Sequence, residues 1–598
     1  MSVENIKCMG SSVNKNASML RDFLVSISFI FIFVYVLFNY QYAFNYETNI
    51  YGYYTIAFVT IIAVVLYCLV SLLIEKRQSD NLDLTLTPAL LILLYVLNIG
   101  NEYACVLTSF LILFLLLKSV SLDVLKYLIY IAVCLYIVQF AYTSSYLFYN
   151  NKSEYNNTIE NTGVFSIYCI IFIPTWHYLL KKNLTKVAFN IIFGFYLILI
   201  FCLIIYLQSR TSIAALAVIL FAQYVMSWWK KISRKERVIY FVVFFIIIIL
   251  AVNFFFNLKQ GSSFGRILML EIALRNINES MFFGTGVGKF TWFYPQWQSN
   301  FFNTEINPRT EYFLHAGETY VIFNEFIQLL ISVGAFLFIL MIIFTIWFFC
   351  QKSEYENKLL RTIKGTFLLV ICCSFTYYTL HINVILALIG LYSAVSYKIL
   401  SSETNNTRKK SFLGKGIKII ILTTSIVSLN IGQAKHKAIT KWKYLRNSDA
   451  SSPDLVSKEL SFINYHIKND GKFLADYGNY IYEYQSNIDQ AIYFIERAHS
   501  SFISLQSKEI LAYLYAEQKD YDKAIESFQW LVNYIPNRFK YRLELIELYK
   551  LTDHIDKAKS LAEKTLAMPV KIPSTEVDMI KSRISIINDS LSNYKPSF

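Results

Sequence analysis

The sequence predicts an all-α protein: a polytopic membrane helix bundle of about 12–13 spans followed by a soluble helical-repeat domain. Three observations lead there. Hydrophobic residues make up 56% of the 598, with a mean hydropathy of +0.43, too apolar for an ordinary soluble chain. Apolar runs near the roughly 20 residues that cross a hydrocarbon core recur along the first 431 positions. Beyond them, hydropathy falls and a short motif repeats.

The runs cover residues 23–38, 53–74, 88–117, 123–142, 163–180, 187–229, 238–256, 321–350, 365–399 and 416–431. Long runs divide at Gly100-Asn101, at Gln208-Ser209-Arg210 and at His381. Residues 1–22 are polar, and no small-residue cleavage site follows the first run, so it reads as a retained first span behind a cytoplasmic tail. Residues 23–431 form the expected membrane domain.

The net charge of +14 raises the question of nucleic acid, but the distribution of the basic residues answers it. Lys76-Arg77, Lys181 to Lys186, Lys230 to Arg237, Lys352 to Lys364 and Arg408 to Lys418 occupy alternate connections, as the positive-inside rule requires of cytoplasmic loops. Connections 39–52 and 143–162, a large loop at 257–320 and the tail at 432–598 then fall on the opposite side. No nucleic-acid partner is expected. The nine cysteines lie in spans, at their ends or in the N-terminal tail, without disulfide or metal spacing.

In the tail, "DQAIYFIERA" at 489, "DKAIESFQWL" at 522 and "DKAKSLAEKT" at 556 place Ala491, Ala524 and Ala558 at intervals of 33 and 34 residues. That is the tetratricopeptide period, in which a small residue lets paired helices approach and an aromatic such as Phe528 fills the space beside it. Such a solenoid props up its neighbour or offers a docking surface to a protein partner.

Four stretches could carry chemistry. "FFGTGVGKF" at 282–290 fails as a nucleotide loop, because Gly284 and Gly288 enclose three residues rather than four and Phe290 stands where Ser or Thr is needed. A tight turn using positive φ is the expected role. Arg210, in "YLQSRTSIAALAV", interrupts an apolar run, where a guanidinium at bilayer depth costs about 2.5–3.5 kcal/mol unless it snorkels or pairs with an anion. Arg266, in "GSSFGR", is a second cation, at the head of the amphipathic "ILMLEIALRNI". Two such arginines could clamp a pyrophosphate through charge-assisted hydrogen bonds. His315, Glu318 and Glu325 are ionisable groups within reach of a membrane surface, Glu325 in the first turn of a span. A general base beside two cations is what glycosyl transfer from a lipid-diphosphate sugar needs.

In that order and spacing, "QSRTSIAAL", "SSFGR", "FFGTGVGKF" with Tyr294-Pro295, and "FNEFIQLLISVGAF" resemble the O-antigen ligase and polymerase superfamily over most of residues 20–400. The tail, with "IPNRF" at 535 and "PVKIPS" at 569, is similar to the repeat domain of one branch of ligase-like members. The resemblance implies a multi-pass glycosyltransferase of the bacterial inner membrane. Its donor would be an undecaprenyl-diphosphate-linked glycan, its acceptor lipid A core, a glycan or a protein hydroxyl, and Arg210 and Arg266 would bind the diphosphate. It also implies that no metal or other cofactor is needed. The chain departs from the pattern at Phe323, where ligases commonly carry a histidine before the asparagine, and at Ser332, where a glutamate is frequent. The base is therefore left among His315, Glu318 and Glu325. Polymerase and protein O-oligosaccharyltransferase are the alternatives within the family. From other classes, a transporter or a noncatalytic anchor for the repeats would use the same spans, but no related halves are visible.

Overall fold

The computed structural model describes residues 3–38, 56, 59–67, 102–149, 162–229, 233, 236, 260–277, 282–304, 309–353, 357–401, scattered positions from 423 to 445, and 453–592. Most of the runs expected at 53–74 and 416–431, the first half of 88–117 and all of 238–256 lie outside the described residues.

Among the described residues the regular structure is helical throughout. The helices are α1 (Val3–Phe38), α2 (Glu102–Ser119), α3 (Leu122–Tyr149), α4 (Thr162–Ile171), α5 (Ile173–Asn183), α6 (Lys186–Tyr206), α7 (Arg210–Trp229), α8 (Gln260–Arg275), α9 (Phe290–Thr304) and α10 (Thr310–His315). There follow α11 (Glu325–Cys350), α12 (Asn357–Ser374), α13 (Asn383–Ser401), α14 (Pro453–Ile467), α15 (Gly471–Gln485), α16 (Ile488–His499), α17 (Leu505–Glu517), α18 (Tyr521–Tyr534), α19 (Phe539–Leu551), α20 (Ile555–Leu566) and α21 (Thr575–Ser592).

Six stretches among the described residues are long and apolar enough to cross a bilayer: Met19–Phe38, Leu122–Ser145, Gly163–Asn183, Lys186–Tyr206, Glu325–Cys350 and Asn383–Ser401. The chain is an all-α, multi-pass membrane protein. Helix α6 and the later turns of α11 leave Ile191, Phe195, Ile198, Phe344 and Ile346 exposed, a pattern that only a lipid surround makes favourable.

The chain divides into two compact units. The first comprises Met1–Phe241, Phe323–Phe326 and Ile339–Thr440. In it, α1 packs on α3, α2 and α13, while α12 lies against α5, α7, α4 and α13. One end of this bundle is marked by Asp22, whose carboxylate accepts the Ser121 N–H at 3.2 Å, by Lys118 over the Tyr397 ring at 4.1 Å, and by Lys364, which donates to the Phe349 carbonyl at 2.9 Å. At the other end are the start of α2, the α6–α7 turn, the first residue of α11 and the α12–α13 connection.

The second unit comprises Val242–Ile322, Ile327–Phe338 and Lys441–Phe598, so it groups the loop expected at 257–320 with the tail. Leu268, Ile272, Phe290, Tyr294, Tyr312, Ile322 and Ile331 form the core of its loop part. Polar bonds join that part to the tail. Gln298 donates to the Tyr534 carbonyl at 2.6 Å, Trp530 Nε1 to Gln296 Oε1 at 2.9 Å, and Asn537 Nδ2 reaches the carbonyls of Phe313, Leu314 and Ala316 at 3.2, 2.9 and 3.0 Å.

The tail runs as helix pairs, α15 with α16, α17 with α18 and α19 with α20. Asp470, Asn487, Ser504 and Asp520 cap helix starts by accepting free backbone N–H groups. Ala491, Ala524 and Ala558 are fully buried. The turns within the pairs place Ser486, Lys519 and Asp553 at φ of 50°, 63° and 60°, so a left-handed residue recurs at the same intervals as the alanines. A core from Ile481 to Leu591 runs continuously through these helices.

Candidate functional site

The α6–α7 turn is made by Gln208 at φ 52°, and α7 begins at Arg210. Behind the arginine, Ser166, Ser209 and Ser212 form a closed ring of buried hydroxyls, 2.6, 2.9 and 2.8 Å apart. Each hydroxyl both donates and accepts, so a patch too polar for the bilayer core is internally satisfied. Beside the arginine, Thr211 Oγ1 bonds Thr376 Oγ1 at 2.7 Å. The bond ties the start of α7 to residues 374–382, which connect α12 to α13. The arginine itself is half-buried.

That connection also receives the start of α11. Glu325 is 1% exposed, and its Oε2 accepts the Leu380 N–H at 3.2 Å. His381 Nδ1 lies 3.3 Å from Glu325 Oε1 and 3.4 Å from Oε2. Tyr103, at the start of α2, stacks on the His381 ring with centroids 4.0 Å apart and planes 9° from parallel, and its hydroxyl donates to the Leu380 carbonyl at 3.2 Å. Asn324 Nδ2 holds the Phe375 carbonyl at 3.1 Å, and Phe323 packs edge-on to Tyr377 and Tyr378. A buried carboxyl group costs several kcal/mol unless it is held by polar partners, and this one has the Leu380 N–H and the His381 ring nitrogen.

The first unit therefore brings Arg210, Glu325 and His381 to one end of its bundle. His381 was used in the sequence only to divide an apolar run. The available signal was that a histidine in the middle of a mostly apolar stretch, 365–399, needs a buried partner.

The second unit holds the remaining candidates. Arg266 is half-buried on α8, whose inward face carries Ser263, Gly265, Leu268, Ile272 and Ala273. His315 ends α10 and lies over the first turn of α8, so close that a Cβ at Gly261 would sit 2.5 Å from its Cε1. Partial burial and then Lys571 hold the His315 imidazole below its usual range, with Glu311 opposing. Glu318 Oε1 accepts the Leu505 N–H at 3.2 Å, at the start of α17. Among the described residues no three His, Cys, Asp or Glu side chains converge as a metal site.

The "FFGTGVGKF" stretch takes Gly284, Gly286 and Gly288 through φ of 76°, 101° and 76°. It lies along a break in α11, where Thr285 N–H donates to the Ile331 carbonyl at 2.8 Å and Gly286 N–H to that of Ser332 at 3.0 Å. Gly334, at φ 78° and ψ 166°, breaks the helix and frees those carbonyls.

Residues 195–342 match the family model described as O-antigen ligase. The match supports the resemblance read from the motifs, and with it a glycosyltransferase-type activity in a multi-pass membrane protein. Arg210, Arg266, His315, Glu318 and Glu325 all lie in the matched stretch; His381 and the tail lie beyond it. No curated protein and no solved structure matches the chain.

Proposed function

We propose that this chain is an O-antigen ligase-like membrane glycosyltransferase, moving a glycan from an undecaprenyl-diphosphate carrier to an acceptor hydroxyl at the outer face of a bacterial inner membrane. Arg210 and Arg266 are the donor-phosphate cations, and the reaction uses no metal or nucleotide. The tail is a tetratricopeptide-like repeat on the same side as the loop, and its breadth suits a macromolecular acceptor or a protein partner. Lipid A core is the favoured acceptor, with a growing glycan and a protein Ser or Thr as the alternatives.

The observation that carries this reading is the juxtaposition of a half-buried arginine and a buried, histidine-paired carboxylate at one end of a membrane bundle, inside the stretch that matches the O-antigen ligase family. A cation there offsets charge on a departing diphosphate, and an acid–base group activates a hydroxyl. Of the three candidate bases, Glu318 has one oxygen on a helix amide and His315 lies over Gly261, and we read both as supports of the loop. Glu325 serves the proton-transfer step.

The test is purified protein in lipid nanodiscs, given an undecaprenyl-diphosphate glycan and each acceptor class, with transferred sugar measured in EDTA. Arg210→Ala and Arg266→Ala are expected to abolish transfer while insertion persists. Full activity in either variant removes the diphosphate role from that arginine, and no product with any acceptor refutes the transferase.

A further inference from the structure

The same cluster assigns the base more closely. We propose that His381, whose Nδ1 is held by Glu325, is the group that takes the acceptor's proton, and that Glu325 is its positioning residue. This rests on the transferase reading above.

The geometry separates the two roles. Glu325 is 1% exposed, accepts the Leu380 N–H and faces His381 Nδ1 with both oxygens, at 3.3 and 3.4 Å. A carboxylate so placed selects the imidazole tautomer with the proton on Nδ1, which leaves the lone pair on Nε2, at the far side of the ring. The stacked Tyr103 ring, 9° from parallel at 4.0 Å, fixes the plane in which that lone pair lies. The Tyr103 hydroxyl and Glu325 grip the Leu380 carbonyl and N–H respectively, so the segment that presents the histidine is held from both sides.

Phe323, where the family resemblance leads one to expect a histidine, offers no proton acceptor and packs on Tyr377 and Tyr378 instead. The imidazole at this end of the bundle comes from a segment nearly 60 residues later in the chain, outside the stretch that matches the ligase family.

In the step, the acceptor O–H proton passes to Nε2 while the acceptor oxygen forms a bond to the anomeric carbon of the donor sugar. The bond from that carbon to the diphosphate oxygen breaks, and its electron pair leaves with the lipid diphosphate, whose charge Arg210 offsets. The imidazolium, stabilised by Glu325, then returns its proton to water.

Titratable groups facing His381 are Glu325 at the start of α11 and Tyr103 on α2; its own segment carries Tyr377 and Tyr378, and α12 ends with Cys372 and Cys373.

The experiment is transfer kinetics of the full chain in nanodiscs for wild type, His381→Asn, His381→Ala, Glu325→Gln and Arg210→Ala. Asparagine keeps an N–H donor toward Glu325 and so preserves the packing, but supplies no base. His381→Asn is expected to lower kcat by about 10²-fold or more with donor KM unchanged, and to abolish the acid limb of the pH profile of kcat/KM. Imidazole should restore part of the rate to His381→Ala. Glu325→Gln should lower kcat with donor KM unchanged and retain an acid limb, because the imidazole is still present but no longer held in one tautomer. Near-normal kcat and an unchanged acid limb in His381→Asn overturn the assignment, and if wild type transfers and Arg210→Ala does not, they overturn it alone. A fall in kcat with the acid limb intact in His381→Asn also overturns it, because a merely structural pair behaves that way. A wild type inactive with every acceptor overturns the transferase reading first.

Discussion

Gly334→Ala tests the break in α11. At φ 78° and ψ 166° the backbone occupies a region essentially restricted to glycine, which costs a substituted residue about 1–3 kcal/mol. Its Cβ would stand 2.3 Å from the Phe282 carbonyl oxygen and 2.6 Å from Gly284 N, and backbone atoms cannot swing aside as a side chain can. Relieving the contact moves the 282–286 loop off the helix, weakening the bonds from Thr285 to Ile331 and from Gly286 to Ser332, at about 0.5–1.5 kcal/mol each. The total is about 2–6 kcal/mol. At roughly 2–4 °C per kcal/mol for a domain of this size, the apparent Tm of the second unit should fall by about 4–24 °C. The assay is tryptophan fluorescence on heating in detergent, with Gly317→Ala as control because a Cβ there meets nothing within 4 Å. Gly284→Ala should behave alike, since its Cβ would lie 2.4 Å from the Ser332 carbonyl, and the double variant should cost much less than the sum because one separation relieves both clashes. Unfolding of Gly334→Ala that coincides with Gly317→Ala would refute the interlock.

Glu318→Gln keeps an acceptor for the Leu505 N–H but cannot take a proton, so both Tm and transfer should stay near wild type; lost transfer at unchanged Tm would return Glu318 to the candidate bases. His499, bonded to Ser507, is pushed down to about 3 by burial and then by Lys508, so the folded state resists a proton that the unfolded chain accepts below about pH 6.5. Stability of the tail should therefore decline as pH falls from about 6.5 toward 3, by up to about 1.4 kcal/mol per unit, and His499→Gln should flatten that slope in urea unfolding at several pH values. Thr211→Val and Thr376→Val should each cost about 1–2 kcal/mol and the pair less than their sum, read as a double-mutant cycle; strict additivity would deny their 2.7 Å bond.

Much of the architecture was legible because it follows from periodicity and transfer energy. Apolar runs gave spans, the break expected at Gln208-Ser209-Arg210 is where α6 ends and α7 begins, and the glycines of 284–288 do take positive φ. Alanines at intervals of 33 and 34 residues are buried where paired helices approach. What was not legible depends on contacts between distant positions. Nothing local to Glu325 announces His381, 56 residues on, because each alone looks like an ionisable residue near a span end. The glycine stretch was legible as a tight turn, but not what it lies against, the break in α11, which only the freed carbonyls of Ile331 and Ser332 reveal.

The tail bears on the choice between enzyme and anchor, because its contacts with the loop consist of bonds the loop needs. Gln298 and Ser299 are 1% and 3% exposed, and both donate to tail carbonyls, at Tyr534 and Trp530. Asn537 gathers the carbonyls of Phe313, Leu314 and Ala316, which flank His315. Ending the chain after Thr440 would return these groups to water and uncover the face of α9 that packs on α18, so the loop should open locally while the spans remain inserted. Hydrogen exchange would show lost protection across 290–304 and 309–319, and under the transferase reading transfer would fall with it because Arg266 sits on the same loop core. Asn537→Ala is the milder form, at about 2–3 kcal/mol, and should speed exchange at 313–316 alone. An anchor that merely displays the repeats predicts the opposite: a loop with native protection after truncation, and repeats that do their work when tethered to an unrelated span.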